Sequence, residues 1–294
     1  MPRVTVTKTC KLFVNGAFPR SESGRALAIA DRAGRTVATI AHASRKDFRD
    51  AVEAAAAAQP KWASATAYNR GQILYRAAEM VEARHAEFVD AVRALGTVTP
   101  AVARREVTES IDRLVCWAGW TDKIAQVLGN QNPVAGPYFD FTVPEPIGVA
   151  AVFAPDRPAL LGLVSLLAPA IAAGNACVAV ASDANPLPAV AFMESLATSD
   201  LPAGVVNILT GKRDELVAAA ASHREVGAIV AAGTSAAQAK ALRLGVGENL
   251  KRVRIDGESK HDAGLDWSGD ERWTGPDALE ALLDHKTIWH PSAT

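Results

Sequence analysis

The stretch Gly148–Ala181, GVAAVFAPDRPALLGLVSLLAPAIAAGNACVAVA, decides the fold of this chain. Two short apolar runs of strand length flank a longer run of helix-forming residues, with polar turns between them. The uncharged part, residues 160–181, is long enough to cross a bilayer. Pro169 and the Gly174–Asn175 pair divide that part, so we predict a helix followed by a buried strand and no membrane span.

The same rhythm continues towards the C-terminus. Strand-like runs at residues 205–211 and 228–234 alternate with helical segments at 186–199 and before Ser222. Because consecutive parallel strands need crossover helices between them, this alternation predicts an α/β fold with a parallel sheet.

The residues before this unit predict a small β unit followed by helices. Residues 14–40 alternate short apolar runs with glycine-containing turns, which predicts an antiparallel meander. Ser44 then caps a long amphipathic helix, and two more helices are predicted at about 68–92 and 101–124.

Composition excludes several classes of function. The 294 residues carry a formal net charge of -1 and no cluster of lysine and arginine, so neither nucleic acid nor an anionic membrane surface is indicated as a partner. Cys10, Cys116 and Cys177 are far apart and odd in number, which signals neither a disulfide framework nor a metal site. The N-terminus has no apolar signal-peptide region, so we expect a cytoplasmic protein.

Two further segments predict strands that lie outside the main sheet. Residues 136–146, GPYFDFTVPEP, alternate their faces like an extended arm, and KTIWHP at 286–291 is prone to form a last strand. The polar connector between the main sheet and that strand is rich in Gly and Asp and suits a flexible bridge. Its Trp267 and Trp273 are either anchors for a partner or packed on the chain itself.

Several quoted motifs together resemble the aldehyde dehydrogenase superfamily. They are KLFVNGAF, DFRDAVEAAAAAQPKWA, EPIGVAAVFAP, APAIAAGNACV and LPAGVVNILTG. The resemblance implies a Rossmann-like NAD(P) domain, a catalytic domain with a nucleophilic cysteine, and an oligomerisation arm made from a hairpin and the C-terminal strand. It divides the chain into five parts. They are an N-terminal meander with helices (1–135), a hairpin arm (136–148), a Rossmann-like domain (149–260), a linker in place of the catalytic domain (261–278), and a C-terminal helix and strand (279–294).

The positions that carry the family's chemistry are altered in this sequence. Asp156 stands where the resemblance implies an oxyanion-stabilising asparagine, and Asp256 stands near the position of the general base. Val180 replaces the lysine that would hold the adenosine ribose, which weakens the case for NAD(P), and Asp183 is the acid that remains. The cofactor-binding positions that the sequence retains, in vestigial form, are Asp183, Gly211, Gly233 and Thr234.

The resemblance therefore implies a catalytically dead member that lacks the catalytic domain. No cysteine follows Lys260, so covalent aldehyde oxidation has no nucleophile. We expect a non-catalytic subunit that assembles with a full-length aldehyde dehydrogenase and supports or regulates its active site. The alternatives are the NAD(P)-binding half of a split dehydrogenase and a nucleotide-sensing module. For the sensing module, a simpler explanation is favoured, in which the retained residues only shape turns between strands and helices.

The two arm strands supply the candidate contacts with such a partner. Exposed strand edges can add to a neighbour's sheet and are an aggregation hazard when they are left open. His285 and His290 lack a third ligand at metal spacing, so we predict no metal site. The predicted interface residues are Tyr138, Phe139, Phe141, Thr287, Ile288 and Trp289.

Overall fold

A computed structural model of the chain describes residues 6–257, 264–269 and 271–292. It begins with a three-stranded sheet of β1 (Lys8–Cys10), β2 (Ala26–Ala30) and β3 (Thr36–Ala41) in the order β1-β3-β2. β2 and β3 form the antiparallel pair that the sequence predicts. β1 lies before the predicted meander and pairs with β3 in parallel, a contact that no local turn signal reveals.

The first long helix, α1 (Arg45–Ser64), begins where the sequence predicts. The Ser44 hydroxyl accepts the N–H of Asp47 at 3.2 Å, and the Asp47 carboxylate accepts the N–H of Ser44 at 2.7 Å. This reciprocal capping box satisfies amides that the first helical turn leaves open.

The predicted helix at 68–92 is in fact two helices, α2 (Ala67–Ala83) and α3 (His85–Arg93). The break falls at Arg84, whose guanidinium reaches Glu194 at 2.9 Å and the Ser195 hydroxyl at 3.1 Å. Both partners lie more than a hundred residues away in sequence. A tertiary contact therefore accompanies a break that helical periodicity alone does not show.

A long helix and an antiparallel hairpin come next. They are α4 (Pro100–Trp120), the short α5 (Ile124–Leu128), β4 (Asn130–Asn132) and β5 (Tyr138–Pro146). β4 and β5 pair antiparallel, with Asn130 opposite Thr142.

A five-stranded parallel sheet forms the centre of the molecule. Its strand order, β10-β9-β6-β7-β8, places the first strand beside the fourth and reverses the direction of winding there, as in a Rossmann-type sheet. The predicted α/β Rossmann-like fold is confirmed. The strands and helices are β6 (Val149–Phe153), α6 (Ala159–Ala172), β7 (Ala176–Val180), α7 (Leu187–Leu196), β8 (Val206–Leu209), α8 (Arg213–Ser222), β9 (Val226–Ala232), α9 (Ala236–Leu244), α10 (Val246–Asn249) and β10 (Arg252–Asp256).

Helices cover both faces of this sheet, and each face has its own apolar core. On one face Phe48 of α1 packs with Leu216 of α8 and Leu242 of α9, all fully buried. On the other face Trp117 of α4 and Phe192 of α7 pack around α6, which is buried along its whole length. Burial on both faces explains why the strands read as continuous apolar runs.

The chain ends with two 3₁₀ turns, Glu271–Trp273 and Pro276–Leu282, and the strand β11 (Leu283–Pro291). The short C-terminal helix is thus of the 3₁₀ type. β11 pairs antiparallel with β5 along its whole length, which gives a second sheet in the order β11-β5-β4. Of the predicted connector at 261–278, residues 261–263 and 270 lie outside the described residues.

The described part of the connector is packed on the helices, so the expectation of a flexible bridge is wrong there. The Trp117 indole N–H donates to the carbonyl of Trp273 at 3.0 Å, and that of Trp120 donates to the carbonyl of Thr274 at 2.7 Å. The Trp273 ring is 1% exposed and stacks on the ring of Trp267 with centroids 4.1 Å apart. The two connector tryptophans therefore pack on the chain itself.

The uncharged segment at 160–181 forms α6 and then the buried strand β7, as predicted. Among the residues that the structure describes, no helix has the length and apolar character needed to cross a membrane.

Candidate functional site

The sequence-predicted site residues gather at the carboxyl edge of the parallel sheet. Asp156 follows β6, Asp183 follows β7, Gly211 follows β8, and Gly233 and Thr234 follow β9. The carboxyl ends of parallel strands all meet at one edge, and open α/β sheets bind their ligands in the crevice where the winding reverses. Here that crevice lies between β6 and β9.

The carboxylate of Asp156 is bonded to the loop between β7 and α7. Its Oδ1 accepts the backbone N–H groups of Asp183 at 3.1 Å and Ala184 at 3.2 Å, and the hydroxyl of Ser182 at 3.4 Å. Backbone amides of this kind are the groups that would otherwise hold a bound anion. Asp156 therefore ties two loops of the sheet edge together and uses the amides of one of them.

Asp183 closes the beginning of α8. Its carboxylate oxygens accept the backbone N–H of Arg213 at 3.0 and 3.3 Å. Burial raises the pKa of the Asp183 carboxyl, while the Arg213 amide and guanidinium lower it and the nearby Asp156 raises it further. A second anion beside this carboxylate would face like-charge repulsion.

The Arg213 side chain fills the crevice itself, and the sequence analysis missed it. The side chain is only 3% exposed. One guanidinium nitrogen donates to the carbonyl of Gly233 at 3.1 Å, and the other donates to the carbonyl of Ala154 and lies 3.7 Å from Asp156. The available signal was an arginine two residues after Gly211, at the first position of α8.

Two of the remaining predicted residues have roles within the chain's own packing. Gly211 has φ +144°, and a Cβ there would lie 2.9 Å from the His42 ring, so the close approach of the β3–α1 segment requires glycine. Gly233 has φ +61° and turns the chain towards Ser235. Thr234 is 9% exposed, and its hydroxyl has no hydrogen-bond partner among the described residues.

Asp256, at the end of β10, belongs to a cluster of charges that includes the connector. Its carboxylate pairs with Arg254 at 3.0 Å and with Arg272 at 3.5 Å. Both guanidinium groups lie over the Trp273 ring, at 5.6 and 5.9 Å from its centroid. The observed contacts of this acid therefore hold the connector on the sheet.

A cleft of about 560 Å³ opens beside the crevice. Its walls are mainly apolar, with Val98, Pro158 and Trp267 among them. The Glu106 carboxylate lies at its base, 7% exposed, and accepts the N–H of Leu160 at 2.7 Å. Burial raises the pKa of Glu106, and its hydrogen bonds to the start of α6 lower it in part.

The three thiols lie away from this cleft. Cys10 and Cys177 are buried in β1 and β7, and Cys116 is half-buried on α4, 3.9 Å from the Thr274 carbonyl. Burial raises the pKa of all three thiols. A nucleophilic cysteine needs a lowered pKa, so none of them has the environment of an activated thiolate.

NAD(P), which the resemblance implies, does not fit the residues at the sheet edge. The crevice contains the Arg213 guanidinium, two carboxylates face it, and buried Val180 offers no charge to a ribose. In each of four helices the chain's own side chains already hold at least one first-turn amide: Glu106 in α6, Asn185 in α7, Asp183 in α8, and the Ser235–Gln238 capping box in α9.

The six predicted interface residues lie on neighbouring strands of the sheet of β4, β5 and β11, here named the arm sheet. Phe141 stands opposite Ile288, and the hydroxyls of Thr142 and Thr287 lie 2.9 Å apart. The exposed fractions of Tyr138, Phe139 and Trp289 are 45%, 46% and 58%.

The outer edge of the arm sheet is open. In the described parts of the chain, β11 pairs with β5 on one side and with no strand on its other side. The same residues include no group of three or more His, Cys, Asp or Glu side chains placed to hold a metal ion.

Comparison with known proteins identifies the relatives of this chain. The model of the Aldehyde dehydrogenase family matches residues 18–270. A hydroxyisobutyraldehyde dehydrogenase of Mycolicibacterium austroafricanum is 34% identical over 247 residues, which cover 83% of this chain and 48% of the relative. The mitochondrial aldehyde dehydrogenase family 2 member B4 of Arabidopsis thaliana is 32% identical over 262 residues, with coverages of 87% and 47%. The chain thus spans about half the length of these curated relatives.

Solved structures give the same result. PnpE from Pseudomonas sp. WBC-3 superposes with a TM-score of 0.79 at 28% identity, over 84% of this chain and 50% of that one. The aldehyde dehydrogenase of Bacillus cereus, solved as its NAD+ complex, superposes with a TM-score of 0.79 at 25% identity, over 86% of this chain and 52% of that one.

Proposed function

The chain belongs to the aldehyde dehydrogenase family, and from that premise we propose that it acts as a non-catalytic member which assembles with a complete aldehyde dehydrogenase subunit and supports or regulates its active site. The arm sheet is the contact in this proposal. Two features of the described residues carry it: the outer edge of β11 pairs with no strand, and the arm sheet exposes the aromatic side chains of Tyr138, Phe139 and Trp289.

The state of the thiols supports the non-catalytic part of the proposal. Covalent oxidation of an aldehyde begins with attack of a thiolate on the carbonyl carbon. Cys10, Cys116 and Cys177 have pKa values raised by burial, and none of them lines the cleft at the sheet edge. At neutral pH these thiols stay protonated, so the described site contains no nucleophile for the reaction.

The arm sheet supports the assembly part. A nine-residue strand whose outer edge pairs with no other strand in the described part of the chain presents main-chain donors and acceptors that another strand can pair with. Tyr138 and Trp289 pack edge to face at 5.7 Å and stay exposed, which is the chemistry of aromatic interface anchors. Such an edge is an aggregation hazard unless a partner covers it.

The family relationship sets the kind of partner. The curated relatives are about twice as long as this chain, so a full-length family member contains sequence that this chain does not. We expect the arm sheet to bind that additional part, by pairing of a partner strand with the outer edge of β11.

Co-expression with the full-length family member of the same organism tests the proposal. Size-exclusion chromatography with light scattering is expected to show a complex whose mass equals a defined sum of the two chains. Trp289→Ser and Phe139→Ser remove exposed apolar contacts and are expected to raise the dissociation constant at least tenfold, which corresponds to about 1.4 kcal/mol.

Tyr68→Ser is the matched control, because Tyr68 is 74% exposed on α2, outside the arm sheet. This variant is expected to assemble like the wild type. The proposal fails if the wild-type chain elutes as the same species with and without the full-length protein at about 10 µM of each, since that concentration would saturate a specific complex.

A further inference from the structure

We infer that Arg213 is a built-in occupant of the crevice between β6 and β9, which joins the two halves of the sheet and excludes a dinucleotide from it. The observation is geometric. One guanidinium donates to the carbonyl of Ala154, which follows β6, and to that of Gly233, which follows β9. These carbonyls lie on either side of the point where the strand winding reverses.

The guanidinium meets the requirements of a buried charge. A buried cation is stable only when hydrogen bonds and an opposite charge compensate for its lost hydration. The carbonyls supply the hydrogen bonds, and the Asp156 carboxylate lies 3.7 Å away. The Nε atom alone has no hydrogen-bond partner among the described residues, which offsets part of the gain.

The same network uses the groups that would bind phosphate. Asp156 accepts the amides of Asp183 and Ala184, and Asp183 accepts the first amide of α8. A pyrophosphate entering this edge would have to displace the Asp156 carboxylate from its amides. The negative charge of the Asp183 carboxylate would also repel it. Helix N-termini bind anions through free amides, and here the first amide of α8 already has the Asp183 carboxylate as its partner.

The inference goes beyond the proposed function, because it concerns the sheet edge and not the arm sheet. Its consequence is that the fold of this chain does not depend on NAD(P), and that the chain does not report the cofactor's concentration or redox state to a partner. Arg213 acts here as a positioning residue for the ends of two strands.

Titration of the wild-type chain with NADH and with NADPH is the first test. Tryptophan fluorescence and calorimetry up to about 2 mM ligand are expected to show no saturable binding, and Tm is expected to stay constant because a ligand that does not bind the native state cannot stabilise it. Saturable binding of either dinucleotide within that concentration range would overturn the inference, since even a millimolar dissociation constant corresponds to about 4 kcal/mol of binding free energy.

Substitution of Arg213 is the second test. In Arg213→Met the side-chain volume is largely kept, but the carbonyls of Ala154 and Gly233 lose their charged donor. Hydrogen exchange is expected to accelerate at least tenfold at residues 153–156 and 231–234, because that factor corresponds to about 1.4 kcal/mol in the local opening equilibrium. Exchange in the arm sheet is expected to stay unchanged.

Arg213→Lys separates the positioning role from simple loss of packing. A lysine keeps the charge but has no fork to bridge two strands, so it is expected to restore exchange protection at one of the two strand ends only. Arg224→Met, on the exposed turn after α8, is the matched control and is expected to behave like the wild type. If Arg213→Met fails to fold, the lysine variant and the wild-type titration decide the question.

Wild-type exchange rates at both strand ends in Arg213→Met would refute the bridging role. The outcomes are separable from those of the assembly experiment. A chain that binds NADH tightly and still forms the complex with a full-length subunit overturns this inference alone, and a chain that binds neither overturns the assembly proposal alone.

Discussion

Replacement of Trp273 by alanine measures whether the connector is part of the folded core. The side chain is 1% exposed, stacks on Trp267 with centroids 4.1 Å apart, and donates its indole N–H to the Asp266 carbonyl at 3.0 Å. Two cations, Arg254 and Arg272, lie over the same ring. A residue in these surroundings contributes to the free energy of unfolding through burial, ring stacking, a hydrogen bond and cation–π contacts.

The magnitude follows from the buried surface. A buried aromatic side chain removes about 200 Å² from water, which at about 25 cal/mol per Å² amounts to about 5 kcal/mol as an upper value. Measured Trp→Ala substitutions in cores cost about 3–5 kcal/mol, cavity included. We therefore expect Trp273→Ala to lower the free energy of unfolding by about 3–5 kcal/mol, a large part of the about 5–15 kcal/mol of an ordinary domain.

Urea unfolding followed by circular dichroism measures this change, because the midpoint multiplied by the slope gives the free energy of unfolding. Trp289→Ala is the control: its side chain is 58% exposed on β11, and in the isolated chain the substitution is expected to cost less than about 1 kcal/mol. A loss below about 1 kcal/mol for Trp273→Ala would mean that the connector is a loosely attached bridge, as the sequence suggested, and would refute the packing described above.

Three further predictions concern the sheet edge and the thiols. Gly211→Ala is expected to destabilise the chain by about 2–4 kcal/mol, because a left-handed φ and a Cβ 2.9 Å from the His42 ring both oppose the substitution. Gly34→Ala is the control and is expected to cost only about 1 kcal/mol, since Gly34 has φ +77° but open space around it. Urea unfolding midpoints compare the two variants, and equal losses of stability would contradict the close approach of His42 to Gly211. The raised pKa of Glu106 means that its folded form holds a proton more tightly than the unfolded chain, so its contribution to stability is present below the ordinary pKa and is lost as the pH rises through the folded value. Glu106→Gln is therefore expected to gain stability relative to the wild type as the pH rises above the ordinary pKa of a glutamate, and a difference that does not grow with pH would contradict the burial of this carboxyl. Iodoacetamide at pH 7 is expected to alkylate the three native thiols at least tenfold more slowly than free cysteine, because burial raises the pKa of each thiol and shields it from the reagent. Intact-mass spectrometry measures the rate of alkylation. One rapidly alkylated cysteine would contradict the absence of an activated thiolate.

The sequence was sufficient for the elements whose signals are local. The apolar runs and breakers of residues 148–181 predict strand, helix and strand, and each forms at the expected place. The N-terminal cap of α1 could likewise be predicted, because the two residues of its capping box, Ser44 and Asp47, are three positions apart in sequence. Contacts between distant residues could not be predicted from the sequence. The break between α2 and α3 at Arg84 is an example, because it coincides with an ion pair between Arg84 and Glu194 on α7.

The candidate site divides in the same way. Motif positions locate Asp156, Asp183 and Gly211 at the sheet edge, because parallel strands bring their carboxyl ends together whatever their order in sequence. The partners of these residues came only from the structure. Asp156 was expected to be significant for the charge it would place near an oxyanion, and its observed bonds are to the amides of Asp183 and Ala184.

By itself the sequence determined the parallel α/β fold, the family resemblance and the two long strands of the arm sheet, because hydrophobic patterning and turn chemistry act over a few residues. Only the tertiary structure decided that Arg213 fills the crevice and that Trp273 is a core residue. Arg213 bonds to Ala154, which is 59 residues away in sequence, and Trp273 accepts a bond from Trp117, which is 156 residues away, and no local pattern encodes such pairings. The connector illustrates the reason most clearly. Its Gly and Asp residues predict a mobile bridge, but the free energy of burying its two tryptophans against α4 outweighs that local preference.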